Sequence, residues 1–311
     1  MKKLLNLNLL LFIGALFMVS CKEEIEVSVP DFDVETENNT YKINEEITFN
    51  FKGNPDFISF YSGEVGHDFN FKEGRLVEKG KIELSFNNNV ESGTQANQFS
   101  VWASTNFNGN YSNISNVDAA TWTEITNRFT LGTTSTFVNS GVADISDITE
   151  DGKPLYIAFK YTIRPRGTYG AWRVWRVQNY NLISQTSIGP ITLADMLTSG
   201  FVIIEKDPSA AIKTRSSVTT ATISLYPAVT TAENTNVFNE VWAVSAPVQT
   251  GVMDYGPDRP IPIKGSVTGY TREYKYTFTS PGTYKVYFVA SNNNIYDAKE
   301  VVREMELNIV P

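Results

Sequence analysis

The chain has 311 residues, 26 Lys and Arg against 34 Asp and Glu, and a net charge of −8; it has no basic field with which to gather phosphates, which excludes nucleic acid as a partner. Its one cysteine, Cys21, rules out an internal disulfide framework, so the fold must be held by buried side chains alone. Its one histidine, His67, leaves too little for a Ser-His-Asp or Cys-His site or for a zinc centre, and His67 itself reads as a turn residue.

At the start of the chain, Met1-Lys2-Lys3 runs into an apolar stretch over 4–19 that is too short to span a membrane, as a secretory signal over 1–20 would be. The stretch ends in Met18-Val19-Ser20-Cys21, which resembles the lipobox of bacterial lipoproteins and implies cleavage before Cys21 and its lipidation. Several acyl chains on one residue anchor stably where one would not. The following Lys22-Glu23-Glu24-Ile25-Glu26 looks like the acidic export signal of Bacteroidetes lipoproteins. That resemblance implies an outer-membrane address facing the cell exterior, with residues 21–28 as a tether and membrane lipid as the partner at Cys21.

Beyond the signal no long segment has apolar residues at helical spacing. Short alternating runs rich in Val, Ile, Thr, Tyr and Phe are separated by Gly, Pro, Asn and Asp, which predicts an all-β protein. Glu46-Ile47-Thr48-Phe49-Asn50-Phe51, Gln98-Phe99-Ser100-Val101-Trp102-Ala103 and Leu155-Tyr156-Ile157-Ala158-Phe159-Lys160-Tyr161 are such strands. Helical turns are expected only at 191–198 and 298–303.

The opening Tyr41-Lys42-Ile43-Asn44-Glu45-Glu46-Ile47-Thr48-Phe49 and the distant Tyr274-Lys275-Tyr276-Thr277-Phe278-Thr279-Ser280-Pro281-Gly282-Thr283-Tyr284-Lys285-Val286 resemble the two halves of an immunoglobulin-like sandwich of the polycystic-kidney-disease (PKD) type. In that motif Pro281 presets a corner, Gly282 takes the angle of a tight turn, and Tyr284, Val286 and Phe288 share one face. Each half alone would leave an apolar sheet face bare, so 29–73 and 245–311 are expected to form one discontinuous domain. Between them, 74–244 resembles a galactose-binding-like jelly roll. The resemblance is carried by Phe99-Ser100-Val101-Trp102, Ala120-Thr121-Trp122-Thr123-Glu124-Ile125, Ser140-Gly141-Val142-Ala143-Asp144-Ile145-Ser146, Tyr156-Ile157-Ala158-Phe159-Lys160-Tyr161 and Ala171-Trp172-Arg173-Val174. Residues 188–236 fall outside the pattern, as a long loop or extra hairpins.

Sugar rings offer C–H faces that stack on indoles and hydroxyls that bond to Asn, Asp and Arg. Trp172 and Val174 share a strand parity and Trp175 has the opposite one, so Trp175 is expected to point outward while Trp102, Trp172 and Trp242 fill the interior. The Pro- and Gly-containing loop 164–170 sets Arg166 and Tyr169 beside it, and Trp122, Asn106 and Tyr111 belong to a neighbouring loop. These six are the candidate ligand-binding residues. A structural calcium ion is a candidate cofactor, with Asp118 and Asp144 as its ligands; Asp147 and Asp151 sit in similar turns, and turn capping is the ordinary role of such residues. Paired carboxylates such as Glu64 with Asp68, or Glu124 with Asp144, are what a glycosidase would need.

Taken whole, the chain resembles Bacteroides lipoproteins of unknown function that accompany glycan-uptake systems. This implies a non-catalytic surface protein that binds oligosaccharide beside outer-membrane uptake proteins. The alternatives are an adhesion or assembly protein that binds other surface proteins and, less favoured, a carboxylate glycosidase.

Overall fold

Alternation of apolar and polar side chains dictates strands over most of the chain, and strands are what form. The computed structural model describes residues 26–209, 214–227 and 236–311. The signal segment and Cys21 lie outside them. The described chain is all-β, with paired sheets of the immunoglobulin-like and jelly-roll kind and only short helical turns.

Two compact units are present: Met1–Arg75 with Gly256–Pro311, and Leu76–Tyr255. Residues 245–255, expected with the terminal halves, belong to the second unit. Val248–Gln249 pairs with Leu155 and Pro154, and Met253–Asp254 pairs with Val77 and Leu76.

In the first unit, Glu46–Gly53 lies between Phe32–Glu35 and Glu273–Thr277 in a three-stranded sheet. The five-stranded sheet runs Thr40–Lys42, Ala298–Val310, Gly282–Asn293, Phe57–Tyr61, Ile261–Lys264. Strand alternation sends Ile47, Phe49 and Phe51 from one sheet and Phe60, Val286, Phe288 and Leu307 from the other into one core. Phe49, Phe60 and Phe288 meet there with ring centroids 4.8–5.5 Å apart. Tyr284 shares the inward parity of Val286 and Phe288 and packs on Phe278. Gly282, however, does not take a turn's positive φ, because it is already the first residue of its strand and pairs with Ile309. Arg75 is buried against Asp258, with Nε 2.9 Å from Oδ1 and one Nη 2.6 Å from Oδ2, and its guanidinium lies 3.7 Å from the Phe71 ring centre.

Among the described residues, the second unit has a seven-stranded sheet in which Lys81–Glu91 and Val174–Thr186 are central, and a six-stranded sheet ordered Val202–Glu205, Asn239–Val244, Pro154–Ile163, Phe99–Ser104, Thr123–Glu124, with Val248–Gln249 pairing Pro154–Ile163 off that path. Their facing sides bury Phe86, Val101, Ile157, Phe159, Tyr161, Val177, Leu182 and Val241 in one core. The segment 188–236 supplies strands to both sheets: Gly189–Asp195 and Thr222–Leu225 join Val174–Thr186, and Val202–Glu205 joins Asn239–Val244.

Neither expected segment is a helix: 298–303 is strand, and 191–198 is strand to Asp195 and a turn after it. Residues 189–195 pair in a hairpin, and the carboxylate of Asp195 accepts from the N–H groups of Leu197 and Thr198 in the turn that follows. Residues 298–303 lie in the long hairpin with Gly282–Asn293. Long partner strands offer each peptide group a ladder bond, and over so few residues that outweighs local helix preference.

Candidate functional site

On Pro154–Ile163 the odd-numbered residues from Leu155 to Ile163 enter the main core, and Tyr156, Ala158 and Lys160 face the other way. The neighbouring strands do the same: Trp102 stands opposite Val101 and Ala103, and Trp242 opposite Val241 and Ala243. The outer face of the six-stranded sheet therefore collects indoles. Trp102 and Trp122 lie 5.8 and 5.4 Å from Trp242, ring centre to ring centre, and Phe107 lies 5.8 Å from Trp122. Lys160 Nζ sits 4.9 Å from the Trp242 ring and 5.7 Å from that of Trp102, and 2.8 Å from Glu240.

A cleft of about 550 Å³ opens beside this cluster, at the edge of Phe99–Ser104. The adjoining strand Thr123–Glu124 covers only Trp102 and Ala103. Val101 is next satisfied, its N–H by the Thr126 hydroxyl at 2.9 Å and its carbonyl by the Ile125 N–H at 2.9 Å. Gln98 turns its carbonyl to Thr162 on the covered side, so the alternation of an antiparallel ladder turns the N–H and carbonyl of Phe99 to the open side. Around the cleft stand Trp102, Glu124, Lys160, Arg164, Asn97 and Thr162. The Trp102 indole N–H is held by Ser100 Oγ at 2.8 Å, and Glu124 accepts from Thr126 at 3.0 Å. An indole face beside amide, hydroxyl, carboxylate and cationic groups suits a ligand with apolar C–H faces and many hydroxyls.

The expected site residues separate. Trp175 does not point outward. It is 7% exposed and stacks on Phe99 with centroids 4.9 Å apart, forming the inner wall of the cleft, and its indole nitrogen has no hydrogen-bond partner among the described residues. Its parity with Trp172 does not apply, because the strand begins at Val174 and Trp172 lies before it. Trp172 is also buried, bonded through its indole N–H to Arg164 O at 2.7 Å. This approach needs Gly93, whose φ is +62° and where an added Cβ would lie 2.2 Å from the Trp172 carbonyl oxygen.

Tyr169 is 52% exposed on the single helical turn Arg166–Tyr169, with the Arg164 guanidinium 5.8 Å from its ring, and Arg166 lies 5.7 Å from the Trp172 ring. Trp122 donates to Val117 O at 3.0 Å. Tyr111 donates to Ser245 O at 2.9 Å, and burial raises its phenol pKa. Asn106 accepts from the Thr121 N–H at 2.8 Å and from the Ser104 hydroxyl at 3.0 Å, and it borders a separate groove with Glu150 and Lys153. These three brace the loop over the outer face. The open part of the cluster is Trp102, expected in the interior, with Lys160; their opposite parity to Phe99, Val101 and Phe159 puts both on the outer face.

Of the carboxylates, Asp144 accepts from the N–H and hydroxyl of Ser146 at 2.9 and 2.7 Å, which lowers its pKa, and Asp147 is lowered by its paired bonds with Arg128. Asp118 is exposed at the end of the turn Ile114–Asp118. Among the described residues, no three His, Cys, Asp or Glu side chains gather as metal ligands would. His67 Nδ1 lies 2.6 Å from the Arg259 carbonyl oxygen, and Glu64 takes hydrogen bonds from Ser62 and Tyr276.

Residues 20–201 match the model of a family described as Domain of unknown function (DUF5017), and the whole lining of the cleft falls within that span. No curated protein and no solved structure matches the chain.

Proposed function

The chain belongs to the DUF5017 family, and on that premise we propose that it is a lipid-anchored, outer-membrane surface protein that binds oligosaccharide without catalysis, in the service of glycan uptake. The observation that carries this reading is the cleft at the edge of Phe99–Ser104, where the face of Trp102 stands beside Glu124, Lys160, Arg164 and Asn97. The address rests on the Met18-Val19-Ser20-Cys21 lipobox and the acidic residues after it. Likeness of the second unit to galactose-binding jelly rolls, and of the first to PKD-type sandwiches, fits a binding module on a spacer. Glu124 is the one carboxylate in that lining, whereas glycoside cleavage uses two flanking the bond, which favours retention over hydrolysis.

A second reading has its own observation. The part of the Phe99–Ser104 edge that Thr123–Glu124 leaves uncovered, toward which Phe99 turns its N–H and carbonyl, could accept an extended peptide as an added strand, which would make the protein an adhesion or assembly factor. One experiment separates the two. The mature chain, with serine in place of Cys21, is titrated by calorimetry against a panel of polysaccharides and oligosaccharides, with Trp102→Ala in parallel. Selective binding that Trp102→Ala abolishes while the circular dichroism spectrum is kept supports the sugar site. Binding that survives the substitution sinks it, and silence across the panel, with capture of extended peptides, favours strand addition.

A further inference from the structure

In the first unit, the hairpin of Gly282–Asn293 and Ala298–Val310 ends in the four residues Asn294-Ile295-Tyr296-Asp297. The Asn294 side chain accepts from the N–H groups of Tyr296 and Asp297 at 2.8 and 2.9 Å, and the Asn294 N–H donates to Asp297 O at 2.9 Å. The Asn294 amide thus ties the backbone of the tip. Its two apolar side chains are turned out: Ile295 is 86% exposed and Tyr296 73%.

Single exposed apolar residues are ordinary on protein surfaces. What distinguishes this pair is its neighbour. Two residues before the tip, the Asn292 amide donates to Ser28 O at 3.1 Å while its oxygen accepts from the Asp56 N–H at 3.0 Å, so Ser28, at the end of the tether, lies beside the base of the same tip. Val27 and Pro30 are buried beside it and Val29 is exposed. Cys21 precedes Ser28 by seven residues, so even a fully extended tether holds the anchor within roughly 25 Å of Ser28.

We infer that the Ile295–Tyr296 tip is a membrane-docking element that seats in the lipid interface beside the acyl anchor. An isoleucine and a tyrosine together suit that layer, since the aliphatic chain can enter the acyl boundary while the phenol stays at headgroup level. Electrostatics does not drive the contact: Asp297 pairs with Lys299 at 3.2 Å, and Glu300 follows, so the rim carries no basic excess. The tip thus turns one covalent attachment into a two-point one and limits how freely the first unit pivots on its tether. The inference rests on lipidation of Cys21 and is independent of sugar binding.

The test uses the acylated full-length mature chain reconstituted in phosphatidylcholine vesicles. Acylation consumes the Cys21 thiol, so Ile295→Cys or Tyr296→Cys offers the one reactive thiol for a nitroxide label. Val267→Cys, at a site 99% exposed in the same unit, is the control. The expected result is a ratio of oxygen to water-soluble nickel-chelate accessibility several-fold higher at 295 and 296 than at 267. Equal ratios on a chain shown by mass to be acylated overturn the docking alone. A chain that carries no acyl groups overturns the anchoring and the docking together.

Discussion

Pro154–Ile163 separates two environments built by one alternation. On its inner face, Ile157, Phe159 and Tyr161 are enclosed by apolar side chains from both sheets of the second unit. On its outer face, Tyr156, Ala158 and Lys160 meet three indoles, and a carboxylate, Glu240, is admitted beside the lysine. The inner face gains by excluding water from all sides and accepts any set of side chains that fills the volume. The outer face is half a core: packed enough to fix its rings, open enough at the strand edge to present one of them. What a sheet buries and what it offers are thus written in the same few residues, read at odd and even positions.

The sharpest way to break this comparison is to cut into the inner face. Phe159→Ala removes a fully buried ring and is expected to lower stability by about 3–5 kcal/mol, seen as a lower urea midpoint at unchanged slope. If Trp102→Ala cost as much, the outer face would be core and not presentation. Trp102→Ala is instead expected to reduce oligosaccharide affinity roughly tenfold or more, with a smaller loss of stability than Phe159→Ala, measured by calorimetry and urea unfolding on the same protein. Trp175→Phe should behave in the opposite sense. The unpartnered indole nitrogen loses no hydrogen bond, stability falls by about 1–2 kcal/mol, and affinity stays within a factor of about two, because Trp175 backs the cleft from inside.

The smallest effect lies in pH. Burial raises the phenol pKa of Tyr180 well above its ordinary value of 10.0. Because the folded pKa is the higher one, the stabilisation is complete below the ordinary value and is lost as pH rises from there through the folded one. The Tyr180 hydroxyl has no partner among the described residues, so Tyr180→Phe should change stability at pH 7 by no more than about 0.5 kcal/mol and make the alkaline decline of the urea midpoint shallower.

Strand alternation made the β architecture, the inward Phe49, Phe60 and Phe288, and the apolar rows of the second unit legible in the sequence. Parity fails where a strand begins or bulges. Trp172 and Trp175 are three residues apart, but only the second is in the ladder, and the register shifts again at 178–181, where Asn179 has φ +52°. The short segments at 191–198 and 298–303 carry too little local preference to announce their partners, and only the long strands beside them decide. Trp102 was visible as a tryptophan, but its openness depends on the brevity of Thr123–Glu124, a feature of pairing that no single segment encodes.

The second unit leaves the first at Arg75 and returns at Gly256, and the Arg75 N–H donates to Gly256 O at 2.8 Å. Synthesis therefore meets the units in a nested order. When residue 255 emerges, every strand of the inserted unit exists, while its host still lacks Ile261–Lys264, Glu273–Thr277 and the closing hairpin. Of the host's first strands, Phe32–Glu35 and Glu46–Gly53 pair with each other, but Thr40–Lys42 and Phe57–Tyr61 must wait until the guest has passed, and the host closes last, across the greatest separation in the chain. Errors of assembly should accordingly collect in the host, whose Phe57–Tyr61, with both partner strands still to come, is the segment in need of a chaperone.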